Sequence, residues 1–192
     1  VRPAWAKPDL IRAAQEALTQ SGSNPALAAM AGQPREMNPY RHYPSKEGVR
    51  DPKNGHRFFF HAHRAKEYGH FHTFSMDQYG AAVHVGMISV NEQGEPFQLS
   101  TTNQWVTGTR YIDANNMRPH IQGFTMDPAC HEEPNLVRFV NAVIGANRTE
   151  LVQLYRERDA WLTRYRADSD KDPFADVQHE VLSSIPLGAK TR

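Results

Sequence analysis

The sequence predicts an α+β fold: one antiparallel sheet, with helices before and after it in the chain. Three observations predict it. Apolar residues recur at helical spacing near the start of the chain and again from residue 135 to residue 166. Residues 57–108 instead form short runs rich in aromatic and β-branched side chains, separated by turn signals. Strands and helices are grouped rather than alternating, which argues for segregated layers and not for a parallel α/β sheet.

The elements follow in order. Leu10, Ile11, Ala14 and Leu18 share one face of a first helix, which stops at Ser21-Gly22. The stretch NPALAAM (24–30) reads as a second, short helix with Asn24 as N-cap and Pro25 in the first helical position. The chain then turns polar and proline-rich, with Pro34, Pro39, Pro44 and Pro52, and Tyr40 and Tyr43 are expected to anchor this stretch. Connections of such length inside a compact domain are uncommon and often functional.

RFFFHAH (57–63), HFHTFSM (70–76) and AAVHVGMISV (81–90) read as three strands. NEQGEP (91–96) is a turn, and FQLSTTNQWVTG (97–108) reads as a fourth strand running into a polar end. The simplest connectivity is an antiparallel meander, either open or barrel-like. Val137, Val140, Val143 and Ile144 form one helical stripe. Leu151, Leu154, Tyr155, Trp161, Leu162 and Tyr165 belong to a second helix, after a break at Gly145-Ala146-Asn147. That pattern predicts a C-terminal αα-hairpin packed on the sheet. VQHEVLSSIPL (177–187) adds a last edge strand. The expected organisation is a single domain, 1–192: N-terminal helices in 1–32, a long loop in 33–56, the sheet in 57–108 and a helical part in 109–192.

Charge is balanced, with 22 basic and 21 acidic residues, so no basic surface for nucleic acid or an anionic membrane is expected. No apolar run is long enough to span a bilayer. No signal peptide opens the chain, and Val1 in place of Met suggests that residues upstream are missing or were removed. The single cysteine, Cys130, excludes an internal disulfide and a thiolate-rich metal site, and fits a reducing, cytoplasmic compartment. Oligomeric state is not legible.

The stretch HAHRAKEYGHFHTF (61–74) holds four histidines among aromatic residues. Strand side chains alternate, so His61 and His63 share one face, as do His70 and His72. A hairpin centred on Lys66 and Glu67 sets His63 opposite His70 and His61 opposite His72, with all four imidazoles on one patch. A slip of one residue would send the two pairs to opposite faces. Four neutral imidazoles suit a divalent transition metal, with iron or copper favoured and zinc possible. His84 on the next strand is a fifth candidate. Glu67 is the candidate catalytic or ligating carboxylate, completing a two-histidine-one-carboxylate set. The competing reading is a polar sheet face whose histidines bind no ion.

Other positions carry weaker signals. Asn103, Trp105 and Thr107 line a pocket mouth or simply end a polar strand. His42, Tyr43 and Asp51 fold over the site, with Asp51 orienting a ligand imidazole or capping a turn before Pro52. His120, His131 and His179 read as structural, Cys130 as an ordinary small residue, and Arg156, Arg158, Arg164 and Arg166 as the solvated face of a helix.

Two resemblances attach to these residues. Gly55, His61, His63 and Glu67 fit G-x5-H-x-H-x3-E, and this stretch resembles the first half of the cupin metal motif. The resemblance implies a double-stranded β-helix barrel in which those residues bind iron, manganese, nickel, copper or zinc. Phe74 stands where that motif has its next glycine, and its second half has no counterpart. The blocks HYP (42–44), FFFHAH (58–63), ExGHFH (67–72), the His84 strand and TTNQWVTG (101–108) together resemble a bacterial family of unknown function with a helical C-terminal part. The function expected from the residues is a histidine-ligated, metal-dependent enzyme acting on a small molecule, with oxidative chemistry ahead of hydrolytic. The alternative is a non-catalytic metal or ligand carrier or sensor.

Overall fold

The computed structural model describes residues 9–188. Six strands form one antiparallel sheet in sequence order: β1 (Val49–Arg50), β2 (Arg57–His61), β3 (Gly69–Met76), β4 (Ala82–Val90), β5 (Pro96–Thr102) and β6 (Val181–Pro186). The expected α+β meander is what forms. It stays open, with β1 and β6 as its edges, so neither a closed barrel nor the cupin double-stranded β-helix is present. The sheet nevertheless coils strongly. Glu180, just before β6, comes within 3.6 Å of His63 and 3.9 Å of Arg64, which lie just after β2.

Alternation gives the two faces different chemistry. One face carries the row Phe60, Phe71, Ile88, Leu99 and Ile185, and the first four are fully buried. Helices α5 (Pro134–Ala146) and α6 (Arg148–Asp168) cover it, with Asn147 alone between them. The Phe139 ring of α5 sits 5.9 Å from that of Phe71, and Ser183 Oγ donates to the Leu154 carbonyl of α6. Burial of these large side chains supplies most of the drive to fold, each contributing about 1.5–3 kcal/mol. The N-terminal helices α1 (Leu10–Gln20) and α2 (Pro25–Met30) bury Leu18, Ala29 and Met30, with α1 against α5. Asn24 caps α2 as expected, its Oδ1 accepting from the Leu27 amide at 3.0 Å.

The long connection lies along the free edge of β2. Met37 bridges to Ala62 and Tyr43 to Phe60, so main-chain groups of the edge are paired. Tyr43 is fully buried, with its hydroxyl donating to the Pro34 carbonyl, but Tyr40 is 90% exposed and anchors nothing. Asp51 accepts from the amides of Lys53 and Asp127, which makes it a turn residue outside the histidine cluster, with His56 its nearest imidazole.

Two elements differ from expectation. β5 ends at Thr102, because the Asn103 side chain accepts from the Gln104 amide and starts a helical turn, α3 (Gln104–Thr107). A further helix, α4 (Ala114–Gly123), follows, capped by Asp113. Pro119 inside it and a thin apolar stripe, Met117 and Ile121, disguise it in the sequence.

Candidate metal centre

The opposite sheet face, turned inward by the coiling, carries the histidines. Its rows run His61–His70–Ser89–Gln98 and Phe59–His72–Met87–Ser100. The hairpin register is thus two residues from the expected one: His61 lies opposite His70, and Phe59 opposite His72. A slip of two preserves facing, so the imidazoles still converge. Its cause is that β2 ends at His61, and His63 enters the connection to β3. Gly69 permits the close approach of the two strands, since a Cβ there would lie 2.2 Å from the Phe60 ring.

His61, His63 and His70 each present a ring nitrogen within 4.8 Å of the other two. The two Nε2 atoms of His61 and His70 are 2.6 Å apart. The far side of each ring fixes its tautomer. His61 Nδ1 faces the Pro39 carbonyl at 3.1 Å, an acceptor only, so Nδ1 carries the hydrogen. His70 Nδ1 bonds to Glu67 Oε1 and donates to that carboxylate. When both rings are neutral, their two Nε2 atoms point lone pairs at the same spot. A cation relieves that conflict, either a shared proton or a metal ion.

Electrostatics disfavour a proton on His61 or His63. Burial, then the imidazoles of His70 and His63, push His61 down to about 2. Burial and His70 also lower His63, against the opposing pull of Glu180 and Glu67. Metal–nitrogen distances of about 2.0–2.1 Å place two ligand nitrogens about 2.9–3.4 Å apart, a few tenths of an ångström beyond the spacing here.

Glu67 is not a solvated turn residue. Its side chain is 4% exposed and folds back onto His70, and Arg64 approaches its other oxygen at 3.7 Å. Burial acts to raise its carboxyl, but the hydrogen bond from His70, with the Arg64 charge beside it, outweighs this and holds it below the ordinary range. Glu180 holds the corresponding position near His63 Nε2 at 3.6 Å. Each imidazole of the cluster thus has an acceptor near its outer side: Pro39, Glu180 or Glu67. Outer partners of this kind set tautomer and ring orientation in histidine–metal sites.

His72 and His84 are adjacent. The rings of His72 and His70 are 4.8 Å apart, and His72 Nδ1 is 2.9 Å from His84 Nε2. Burial is the main cause that keeps both neutral, His72 well below its ordinary value and His84 down to about 3. Phe59, Phe74 and half-buried His42 wall the cluster, with His42 stacked on Phe59 at 3.9 Å. Asn103 and Thr107 border a separate small cavity with His84, whereas Trp105 is 40% exposed. His120 bonds Ser75, His131 the Glu133 backbone, and His179 pairs with Asp176, each outside the cluster. Burial raises the Cys130 thiol, in keeping with an inert residue.

Two residues escaped the sequence reading. Glu180 is 117 positions from His63, and only the coiling of the sheet joins them. Arg158 was expected on a solvated helix face but is buried between Tyr111 and Tyr155, donating to Asp159 and to the Ile112 carbonyl.

No curated protein and no solved structure matches this chain. A family model described as a domain of unknown function, DUF6969, matches residues 6–187, in accord with the family resemblance of the histidine blocks. The chain belongs to that family.

Proposed function

We propose that this protein holds a divalent transition metal on His61, His63 and His70 and is a metal-dependent enzyme acting on a small molecule. The observation that carries this reading is the convergence of two lone pairs, on His61 and His70, whose tautomers are set from outside by Pro39 and Glu67. Three protein nitrogens leave coordination positions open, the usual condition for a catalytic ion. An all-imidazole set without thiolate suits iron or copper, and we favour oxidative chemistry, with zinc and hydrolytic chemistry second. The ion would supply activation of dioxygen or of water at an open position.

The chain's own residues have distinct roles in this proposal. Glu67 keeps the His70 proton on Nδ1 and so presents Nε2 to the ion. Pro39 does the same for His61. His63 is half-buried and marks the side from which a small molecule reaches the cluster. The Phe59 and Phe74 rings exclude water from the opposite side and favour a substrate with apolar or aromatic surface. His72 is the next candidate ligand, and its bond to His84 holds it in place.

Metal analysis of protein purified without a histidine tag or chelator tests the reading. About one iron or copper per chain, lost in His61→Ala and His70→Ala variants that stay folded, is the expected result. An oxygen-consumption screen against small aromatic compounds then tests catalysis. A metal-loaded protein with no turnover, and no coordination position open to added azide or cyanide, would favour a carrier or sensor.

A further inference from the structure

A cavity lies on the far side of His84. It sits between β4, β5, α3, α4 and α6 and has a volume of about 40 Å³, room for roughly three waters or one carboxylate group. Its wall includes His84, Thr102, Thr107, Thr109, Arg110 and Arg158, and no aspartate or glutamate. Arg158 dominates it. Its side chain is only 8% exposed, clamped between the rings of Tyr111 and Tyr155 at 4.8 and 4.5 Å. Nε and Nη2 are engaged by Asp159 and the Ile112 carbonyl, whereas among the described residues no hydrogen bond engages Nη1.

The nearby acids are already paired, Asp159 with Arg158 itself through Nε and Nη2, which leaves Nη1 for a further anion. Asp159 Oδ1 accepts from Arg158, and its Oδ2 accepts from the Ala114 amide at 2.7 Å. Asp77 is paired with Arg110 at 3.1 Å. The hydroxyls of Thr107 and Thr109 bond one another at 2.9 Å at the wall, and one of them has a hydrogen left to donate. A planar guanidinium held rigid by two rings, with hydroxyl donors beside it and no lining carboxylate, is suited to a planar anion.

We propose that this cavity is a binding site for a small carboxylate, held by Arg158 Nη1 and the threonine hydroxyls. Phosphate and sulfate are bulkier tetrahedral anions and match the space less well. The inference stands on the cavity alone and does not require a metal on the histidine cluster. If both hold, His84 is the shared wall, and the carboxylate is seated behind the His72–His84 pair.

The test is calorimetric titration of the intact protein with acetate, in a buffer free of other carboxylates, with chloride at equal ionic strength as the control. Saturable one-site binding of acetate is expected, weakened by about tenfold or more in Arg158→Gln. Because that substitution also removes packing against two rings, Thr107→Leu is the second variant. It fills the cavity from its wall, leaves Arg158 in place, and should weaken acetate to a similar extent. No saturable binding to the wild type, an equal response to chloride, or wild-type affinity in Thr107→Leu would each overturn the proposal.

Discussion

His61 and His70 face each other from adjacent strands with their Nε2 atoms 2.6 Å apart, while each ring directs its Nδ1 hydrogen to an acceptor behind it. The geometry at the front of the rings is therefore decided at the back. That dependence makes the outer acceptors testable in their own right.

Replacing Glu67 with Gln keeps the shape of the side chain but weakens the acceptor for His70 Nδ1–H. Metal affinity should fall by about 10–100-fold, the usual effect of losing such an outer partner. Competition against a chelator of known affinity measures it. Unchanged affinity in a folded variant would mean that Glu67 does not set the His70 tautomer.

Glu180→Gln should have a smaller effect in the same direction. Its contact with His63 is 3.6 Å, a charge interaction rather than a hydrogen bond, and its side chain is 25% exposed. The same chelator competition, run beside the Glu67 variant, gives the order. A larger loss than that of Glu67→Gln would contradict the roles assigned to the two carboxylates.

Acid should destabilise the metal-free protein well before it reaches the carboxylate range. His61, at about 2, and His84, at about 3, stay neutral in the folded state, whereas the unfolded chain protonates both near 6.5. Below that value the unfolded state binds more protons, so stability is complete above about pH 6.5 and declines as pH falls. Each histidine contributes a slope of about 1.4 kcal/mol per pH unit. Urea denaturation of the metal-free protein at pH 7.5 and pH 5.5 should differ by about 3 kcal/mol from these two groups. Equal stability at the two values would show that these imidazoles are not held neutral by burial.

Gly69→Ala tests the close approach of β2 and β3. The added methyl would meet the Phe60 ring at 2.2 Å and the His61 carbonyl oxygen at 2.9 Å. Overpacking of this kind costs about 1–3 kcal/mol, and here it also separates the strands that carry the two facing imidazoles. A lowered Tm together with weakened metal binding is expected. Loss of stability with full metal affinity would show that the cluster tolerates a shift between the strands.

The strands were legible because their residue types and turns are strong local signals, and the common facing of the histidines followed from alternation alone. The pairing was two residues off because nothing in AHRAKEY says where β2 stops, and His63 reads as well in a strand as in a loop. Thr102-Asn103 concealed the end of β5, since a capping Asn and a polar strand residue look alike until the helical turn is seen. α4 was hidden by Pro119. Arg158 and Glu180 were out of reach for another reason: their environments are made by long-range packing. Arg158 shares a sequence pattern with the exposed arginines around it, and only the position of Tyr111 and the loop before α4 buries it.

The most direct test of the metal centre is a crystal structure of metal-loaded protein with diffraction data collected on both sides of the absorption edge of the bound element. An anomalous peak about 2.0–2.2 Å from Nε2 of both His61 and His70, with His63 in the same shell, is the predicted result. Fully loaded protein with no peak between those two atoms, or with its ion elsewhere on the chain, would contradict the account. The two imidazoles would then be sharing a proton.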